Sequence, residues 1–235
     1  MTHPSLPAAS TAERYFKFLS ATYLDAQGRT AQPAKGRYID ALRQLHQTHR
    51  PRWDVSACLS GTQSGFSGKV WVWSDLHFSH ENILRYCQRP FESAEAMNAA
   101  LLQNCLARVT AQDLLIFGGD LTKGTVDEAN RILRKIPAYK INVLGNHDIE
   151  KRELLGLAVD ETVACLEFES DGRLAFMSHY PVSERILKQG QVNIHGHVHA
   201  SALPPALGDG TRHINICVER TQYAPVRLDE LLSPS

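Results

Sequence analysis

Val70-Trp71-Val72-Trp73-Ser74-Asp75-Leu76-His77 runs four apolar residues straight into an acid and an imidazole spaced two apart. The same design recurs four times downstream. Leu114–Phe117 leads to Gly118-Gly119-Asp120, and Ile141–Leu144 leads to Gly145-Asn146-His147-Asp148. Leu174–Met177 leads to Ser178-His179-Tyr180-Pro181, and Val192–Ile194 leads to His195-Gly196-His197-Val198-His199. Short apolar runs of this length read as buried strands. In open α/β sheets, ligands gather outside the carboxyl ends of strands, so five such ends would bring these polar groups to one place.

Helical patterns separate the early runs. Met97, Leu101, Leu102, Cys105, Leu106 and Val109 recur at helical spacing. Thr125 and Glu128 form a capping box ahead of Ala129, Ile132, Leu133 and Ile136, with Pro137 as the stop. Strand–helix–strand alternation predicts a mainly parallel sheet covered by helices over the first half, with some later strands antiparallel. Residues 1–68 differ. Thr11–Leu24 and Gly36–His49 read as helices, broken by loop signals at Ala26-Gln27-Gly28, Gln32-Pro33 and Arg50-Pro51-Arg52. Ser60–Gly68, rich in Gly and Ser, reads as a linker. The expected division is an N-terminal helical extension and linker over 1–68 and a catalytic domain over 69–235.

Composition narrows the function. Of 235 residues, 43% are hydrophobic and 21% charged, enough apolar material for a packed core and too much for wholesale disorder. Lys plus Arg and Asp plus Glu both total 25, so no whole-chain basic field exists to grip nucleic acid. A local basic segment, Lys35, Arg37, Arg43, Arg50 and Arg52, reads as a solvated helix face in preference to a polyanion patch. Five scattered cysteines without a Cys-x-x-Cys suit a reducing compartment and argue against a disulfide framework or zinc ribbon. The first residues lack a basic-then-apolar leader, and no apolar run approaches the ~20 residues that span a bilayer. The expectation is a soluble cytoplasmic protein with no membrane association.

Of 11 histidines, seven fall between His77 and His199. Taken singly, an Asp-x-His or His-x-His is weak and more often a surface loop or a satisfied histidine; five motifs on five strand-like runs are not. Carboxylate and imidazole without thiolate suit zinc, manganese or iron, not a closed structural zinc site. Asp75, His77, Asp120, Asn146, His179, His197 and His199 offer seven ligands, too many for one tetrahedral ion and about right for two with Asp120 shared. Two ions about 3.5–4 Å apart clamp a phosphoryl displacement and acidify a bridging water. The glycines at 119, 145 and 196 are expected to let the backbone turn sharply beside them.

These blocks resemble the calcineurin-like metallophosphoesterase superfamily: Asp-x-His at 75–77, Gly-Asp at 119–120, Gly-Asn-His-Asp at 145–148, His179, and Gly-His-x-His at 196–199. Ser74–Ile83, Arg89-Pro90-Phe91 with Met97, Asn215–Glu219 and Tyr223–Glu230 are similar to a group of small bacterial and phage phosphoesterases. That group begins close to the first strand, so the resemblance leaves residues 1–68 unexplained. It implies an α/β (α+β) fold: a two-sheet β-sandwich flanked by helices, with the site at its edge. One ion would be held by Asp75, His77, Asp120 and His199, the other by Asp120, Asn146, His179 and His197. His147 would face the phosphate as transition-state stabiliser or general acid, and Asp148 would orient it. The ions would be Mn, Fe, Zn or Ni, with Mn favoured. Where some relatives carry Asp or Asn past the Gly-Asp, this chain has Leu121-Thr122-Lys123-Gly124.

His80 and Arg89 stand as further substrate contacts, though a salt bridge at a helix start is the better reading of Arg89. His195 is expected in the core, and Tyr223 packed rather than stacked on a base. The expected activity is hydrolysis of a phosphate mono- or diester, on a small nucleotide-like substrate, by a metal-bridging hydroxide. A metal-dependent nuclease using the basic N-terminal segment is the alternative enzyme. A non-catalytic binding module of the same fold is the alternative class, which should have lost ligands.

Overall fold

The computed structural model describes residues 10–21, 35–150 and 153–233. All five apolar runs form strands, and among the described residues six further strands join them. In chain order they are β1 (Val70–Trp73), β2 (Leu114–Phe117), β3 (Tyr139–Val143), β4 (Ile149–Glu150), β5 (Glu153–Leu154) and β6 (Glu161–Val163). Then come β7 (Leu166–Ser170), β8 (Arg173–Ser178), β9 (Val192–His195), β10 (His213–Asn215) and β11 (Val226–Arg227). One sheet has the order β11-β1-β2-β3-β6, parallel except for β11. The second has the order β10-β9-β8-β7, with only β7 antiparallel. Asp171 and Gly172, both at positive φ, make the tight β7–β8 turn.

Side-chain alternation builds three apolar layers. Val70, Val72, Leu114, Ile116, Ile141 and Val143 face Phe168, Ala175, Met177, Val192 and Ile194 between the two sheets. The opposite face of the first sheet, Trp71, Trp73, Leu115 and Phe117, packs on α4 (Glu81–Tyr86), α5 (Ala94–Leu106) and α6 (Val126–Leu133). The outer face of the second sheet, with Phe176 at its centre, packs on α1 (Thr11–Ala21) and α2 (Lys35–Thr48). This is a two-sheet sandwich flanked by helices, as expected. Among the described residues no helix is long and apolar enough to cross a membrane.

Several boundaries differ from the sequence reading. Residues 22–24, and the loop signals at 26–28 and 32–33, lie outside the described residues. Helix α6 has its capping box but ends at Leu133, not at Pro137. Ile136 precedes proline and is disfavoured in the helical region, so the chain leaves through tighter turns, with Lys135 N bonded to Ile132 O and Ile136 N to Leu133 O. The Ser60–Gly68 stretch follows a short helix, α3 (Val55–Leu59), whose N-cap Asp54 accepts from Ala57 N. The amides of Thr62 and Gln63 return to Ala57 O, and Phe66 packs against Trp53, ring centroids 5.8 Å apart.

Register then sets the site. Trp73 pairs with Phe117, and Phe117 with Asn142, so β1 and β2 end level and β3 runs one residue further. Ser178 pairs with His195 in the second sheet. A parallel bridge between Ser74 and Cys217, with Val218 N donating to Ser74 O, joins the sheets at that same edge.

Candidate metal centre

The loops after β1, β2 and β9 leave the sheets in an uncommon conformation. Asp75, His77, Asp120, His197 and His199 all have positive φ, between 50° and 68°. L-residues enter this region rarely, Asp and His among those that do so more readily. Such residues persist only where the surroundings over-determine them, at about 1–3 kcal/mol each. Here the loops hold one another: Asp75 N donates to Gly119 O and His77 N to Asp120 O, both at 3.0 Å.

Two of the three glycines do a different job from the one expected. Gly119 has φ +94, but Gly145 and Gly196 are not left-handed. They are needed for close approach. A Cβ on Gly145 would lie 2.3 Å from the amide nitrogen and Oδ1 of Asp120. One on Gly196 would lie 2.1 Å from Ser74 Oγ and 2.2 Å from Asp75 Oδ2.

The candidate ligands converge as two groups, Asp75 with His77 and His199, and Asp120 with His179 and His197; within each, donor atoms lie within 4.8 Å of one another. Asp120 Oδ2 stands between them, 3.4 Å from His179 Nε2 and 3.8 Å from His77 Nε2. Asn146 Oδ1 lies 3.1 Å from His179 Nε2. Asp75 divides its two oxygens. Oδ2 accepts from Ser74 Oγ (2.5 Å), His197 N (2.9 Å) and Cys217 Sγ (3.2 Å). Oδ1 is buried with no hydrogen-bond partner, and so are both ring nitrogens of His77. Buried polar atoms without partners cost about 1–3 kcal/mol each. A carboxylate oxygen 3.9 Å from an imidazole nitrogen, with His199 Nε2 3.8 Å away, is a donor set that fits a divalent cation.

Outer hydrogen bonds prepare the rings. His179 Nδ1 donates to Gly118 O at 2.8 Å, and His199 Nδ1 donates to Glu219 Oε1 at 3.1 Å. Each bond fixes the tautomer and leaves Nε2 for a metal. Burial would lower His179, but the Asp120 carboxylate outweighs it and raises the imidazole to about 9. Burial would likewise raise Asp120, yet the neighbouring imidazoles, His179 foremost, hold it well below the usual carboxylate range. Burial dominates at His77 and keeps that ring neutral.

Arg89 points inward, and its ion pair is with Glu219 instead of at a helix start. Its side chain is fully buried. Nε and Nη2 hold Glu219 Oε1 at 2.9 and 2.8 Å, Nη1 donates to Leu76 O, and Nη2 donates to Asp75 O. It therefore ties the ligand loop to the acid that orients His199. Burial would raise Glu219, but the His199 bond and the Arg89 guanidinium bring it to about 2. That depressed acid stabilises the fold fully above its unfolded value of about 4.3, and the contribution is lost as pH falls towards 2. Arg89→Met leaves a buried carboxylate without its cation. We expect destabilisation of about 3–5 kcal/mol and acid unfolding of the metal-free protein at higher pH. Urea and pH titrations followed by circular dichroism read both; wild-type stability would show that the pair is dispensable.

His147 lies at the rim with its side chain about one-third exposed. Its amide donates to Asp120 Oδ1 at 2.8 Å, and its Nε2 is 3.9 Å from Asp120 Oδ2. Lys123 Nζ sits 2.9 Å from His147 Nδ1. An ammonium can only donate, so Nδ1 accepts and the ring proton is assigned to Nε2, facing the centre. Asp148 does not touch this ring. Its carboxylate accepts from Asp120 N, Leu121 N, Gly145 N and Asn142 Nδ2, all at 2.9–3.0 Å, and so shapes the loops instead. Burial and the Asp120 charge raise its carboxyl. His80 stands next to the centre, its ring centroid 5.4 Å from that of His77, and burial with neighbouring His147 and Lys123 lowers it to about 4. His195 is buried against His213, and Tyr223 packs edge-on against Phe91. Glu219 ends the Asn215–Glu219 block and Lys123 follows the Gly-Asp block, but the sequence assigns neither a role; only folding brings them to the rings they serve.

The family model for calcineurin-like phosphoesterases matches residues 68–199. An uncharacterized protein of Methanocaldococcus jannaschii is 33% identical over 165 residues, 68% of this chain and 88% of that protein. A crystal structure of a protein of unknown function from Aquifex aeolicus is 30% identical, with a TM-score of 0.59, covering 70% of this chain and 98% of that one. A phosphoesterase from E. coli overlaps with a TM-score of 0.33 at 19% identity, too loosely to carry a conclusion.

Proposed function

This chain belongs to the calcineurin-like phosphoesterase family, whose chemistry is metal-dependent phosphoester hydrolysis, and we propose that it cleaves a mono- or diester of a small nucleotide-like substrate. Seven residues hold two divalent ions in this reading: Asp75, His77, Asp120, Asn146, His179, His197 and His199. The observation that carries it is the pairing of partnerless buried atoms, Asp75 Oδ1 and the His77 nitrogens, with a shared carboxylate, Asp120 Oδ2, beside them. Bound there, such ions supply positive charge for the phosphoryl oxygens and a water acid enough to attack phosphorus near neutral pH.

The side chains do the rest. Asp120 links the two groups. His147 presents Nε2–H towards the centre and donates to a phosphoryl oxygen or to the departing oxygen. Lys123 keeps the proton off Nδ1 and adds positive charge at the rim. Residues 69–235 form the catalytic unit in this reading. Manganese is the favoured ion among Mn, Fe, Zn and Ni, and the five free cysteines suit a cytoplasmic protein.

The nuclease alternative draws little support from the basic segment. Arg43 faces Asp40 and Ser20, Arg50 folds back on carbonyls at the end of α2, and Arg52 lies over the Trp53 ring. A non-catalytic module has no use for the converged ligand set. The test is the full chain reconstituted with Mn2+ and assayed on mono-, di- and cyclic phosphoesters and on single-stranded DNA and RNA. Hydrolysis of small esters that stops on chelation is expected. Cleavage of nucleic acid alone would favour the nuclease, and no turnover with any divalent ion would favour the binding module.

A further inference from the structure

We infer that the N-terminal helix pair α1–α2 braces one half of the centre, the group formed by Asn146, His179 and His197, with Tyr38 and Tyr180 as positioning residues; this rests on the two-ion reading above. Tyr38 projects from α2 and is buried. Its hydroxyl donates to Leu144 O at 2.7 Å, on the residue that leads β3 into Gly145-Asn146. Its ring meets that of Tyr180 edge-on, with centroids 5.5 Å apart. Tyr180 in turn donates through its hydroxyl to Asn146 Oδ1 at 2.8 Å, and its ring lies 3.9 Å from the His197 ring and 5.2 Å from that of His179.

Two hydroxyls therefore grip the same short segment, one at the main chain of Leu144 and one at the side chain of Asn146. The Tyr180 bond also sets the amide, turning Oδ1 towards the hydroxyl and the His179 ring. Tyr38 is held by the packing of α1 and α2 on the second sheet. Tyr15, Leu19, Ile39 and Leu42 are buried with Phe176 and Val182 of the catalytic domain, and Tyr15 contacts the Phe176 ring edge-on. Thr11 Oγ1 donates to Gln191 Oε1 and ties down the start of α1. A residue that only filled the core would not need its hydroxyl, so Tyr38→Phe, which keeps the ring, separates the two roles.

The experiment compares full-length wild type, Tyr38→Phe, Tyr180→Phe and Ile39→Ala, the last a buried α2 control with no polar link to the centre. Mn2+ binding is measured by calorimetry, and hydrogen exchange at the amides of 144–147 in metal-free protein. We expect each tyrosine variant to weaken one of two ions by about tenfold and leave the other unchanged. Tyr38→Phe should also speed exchange at 144–147, and Ile39→Ala should do neither. Unchanged affinities in the tyrosine variants, equal weakening of both ions, or the same loss in Ile39→Ala would overturn the brace. Wild-type uptake of fewer than two ions would sink the two-ion reading instead. Exchange at 144–147 would then decide alone: faster in Tyr38→Phe upholds the brace, unchanged overturns it.

Discussion

Asp120→Ala is expected to lower kcat/KM by about a thousandfold or more, the scale on which losing a preorganised charge stabiliser acts, and to release bound metal. Asp120 Oδ2 lies within 4 Å of His77, His147 and His179 together. Its Oδ1 also accepts the amide of His147, so the variant frees the loop that carries Asn146. In the two-ion reading alanine thus removes a ligand from both groups, and it strips His179 of the carboxylate beside its Nε2. Metal analysis after gel filtration, alongside rates on an aryl phosphodiester, gives the answer. Full activity with two ions retained would refute a shared ligand.

His147→Ala should separate turnover from metal binding. Its ring is no part of either ligand group, and proton transfer from a positioned side chain contributes about 10²–10⁴ in rate. A fall in kcat of that order with metal content intact is expected. Lys123→Met should lower kcat less, because it releases the tautomer without removing the ring. If metal content collapses with His147, the ring is a ligand and not a donor. If Lys123→Met has no effect, the 2.9 Å contact at Nδ1 does not govern the ring.

Much of the centre is legible in the sequence because ligand chemistry is local. An apolar run and its polar terminus lie within eight residues, and the fold only has to bring five such termini together. The supporting contacts are not local. Arg89 meets Glu219 across 130 residues, and Tyr38 meets Leu144 across 106, with nothing in either stretch to pair them in advance. Asp148 misleads for the same reason: adjacency to His147 suggests a partner, yet the turn directs its carboxylate to two amides of the loop after β2, the amide of Gly145 and the side chain of Asn142. Strands β10 and β11 are too short and too polar to announce themselves. The alternation of β7, with Leu166 and Phe168 inward and glutamates outward, is period two and shows no continuous apolar run.

The left-handed backbone at Asp75, His77, Asp120, His197 and His199 sets stability against function. Glycine is the residue such torsions favour, yet at each of these positions it deletes a side chain that the two-ion reading needs as a ligand. A screen for thermal resistance in chelator, blind to catalysis, would therefore drift towards the centre itself and return robust, inert proteins. The same screen run in excess metal would penalise those replacements, since an ion that binds only the native state stabilises it by mass action. Engineers seeking a hardier version of this chain would do best to select with the ions present and to leave these five torsions strained.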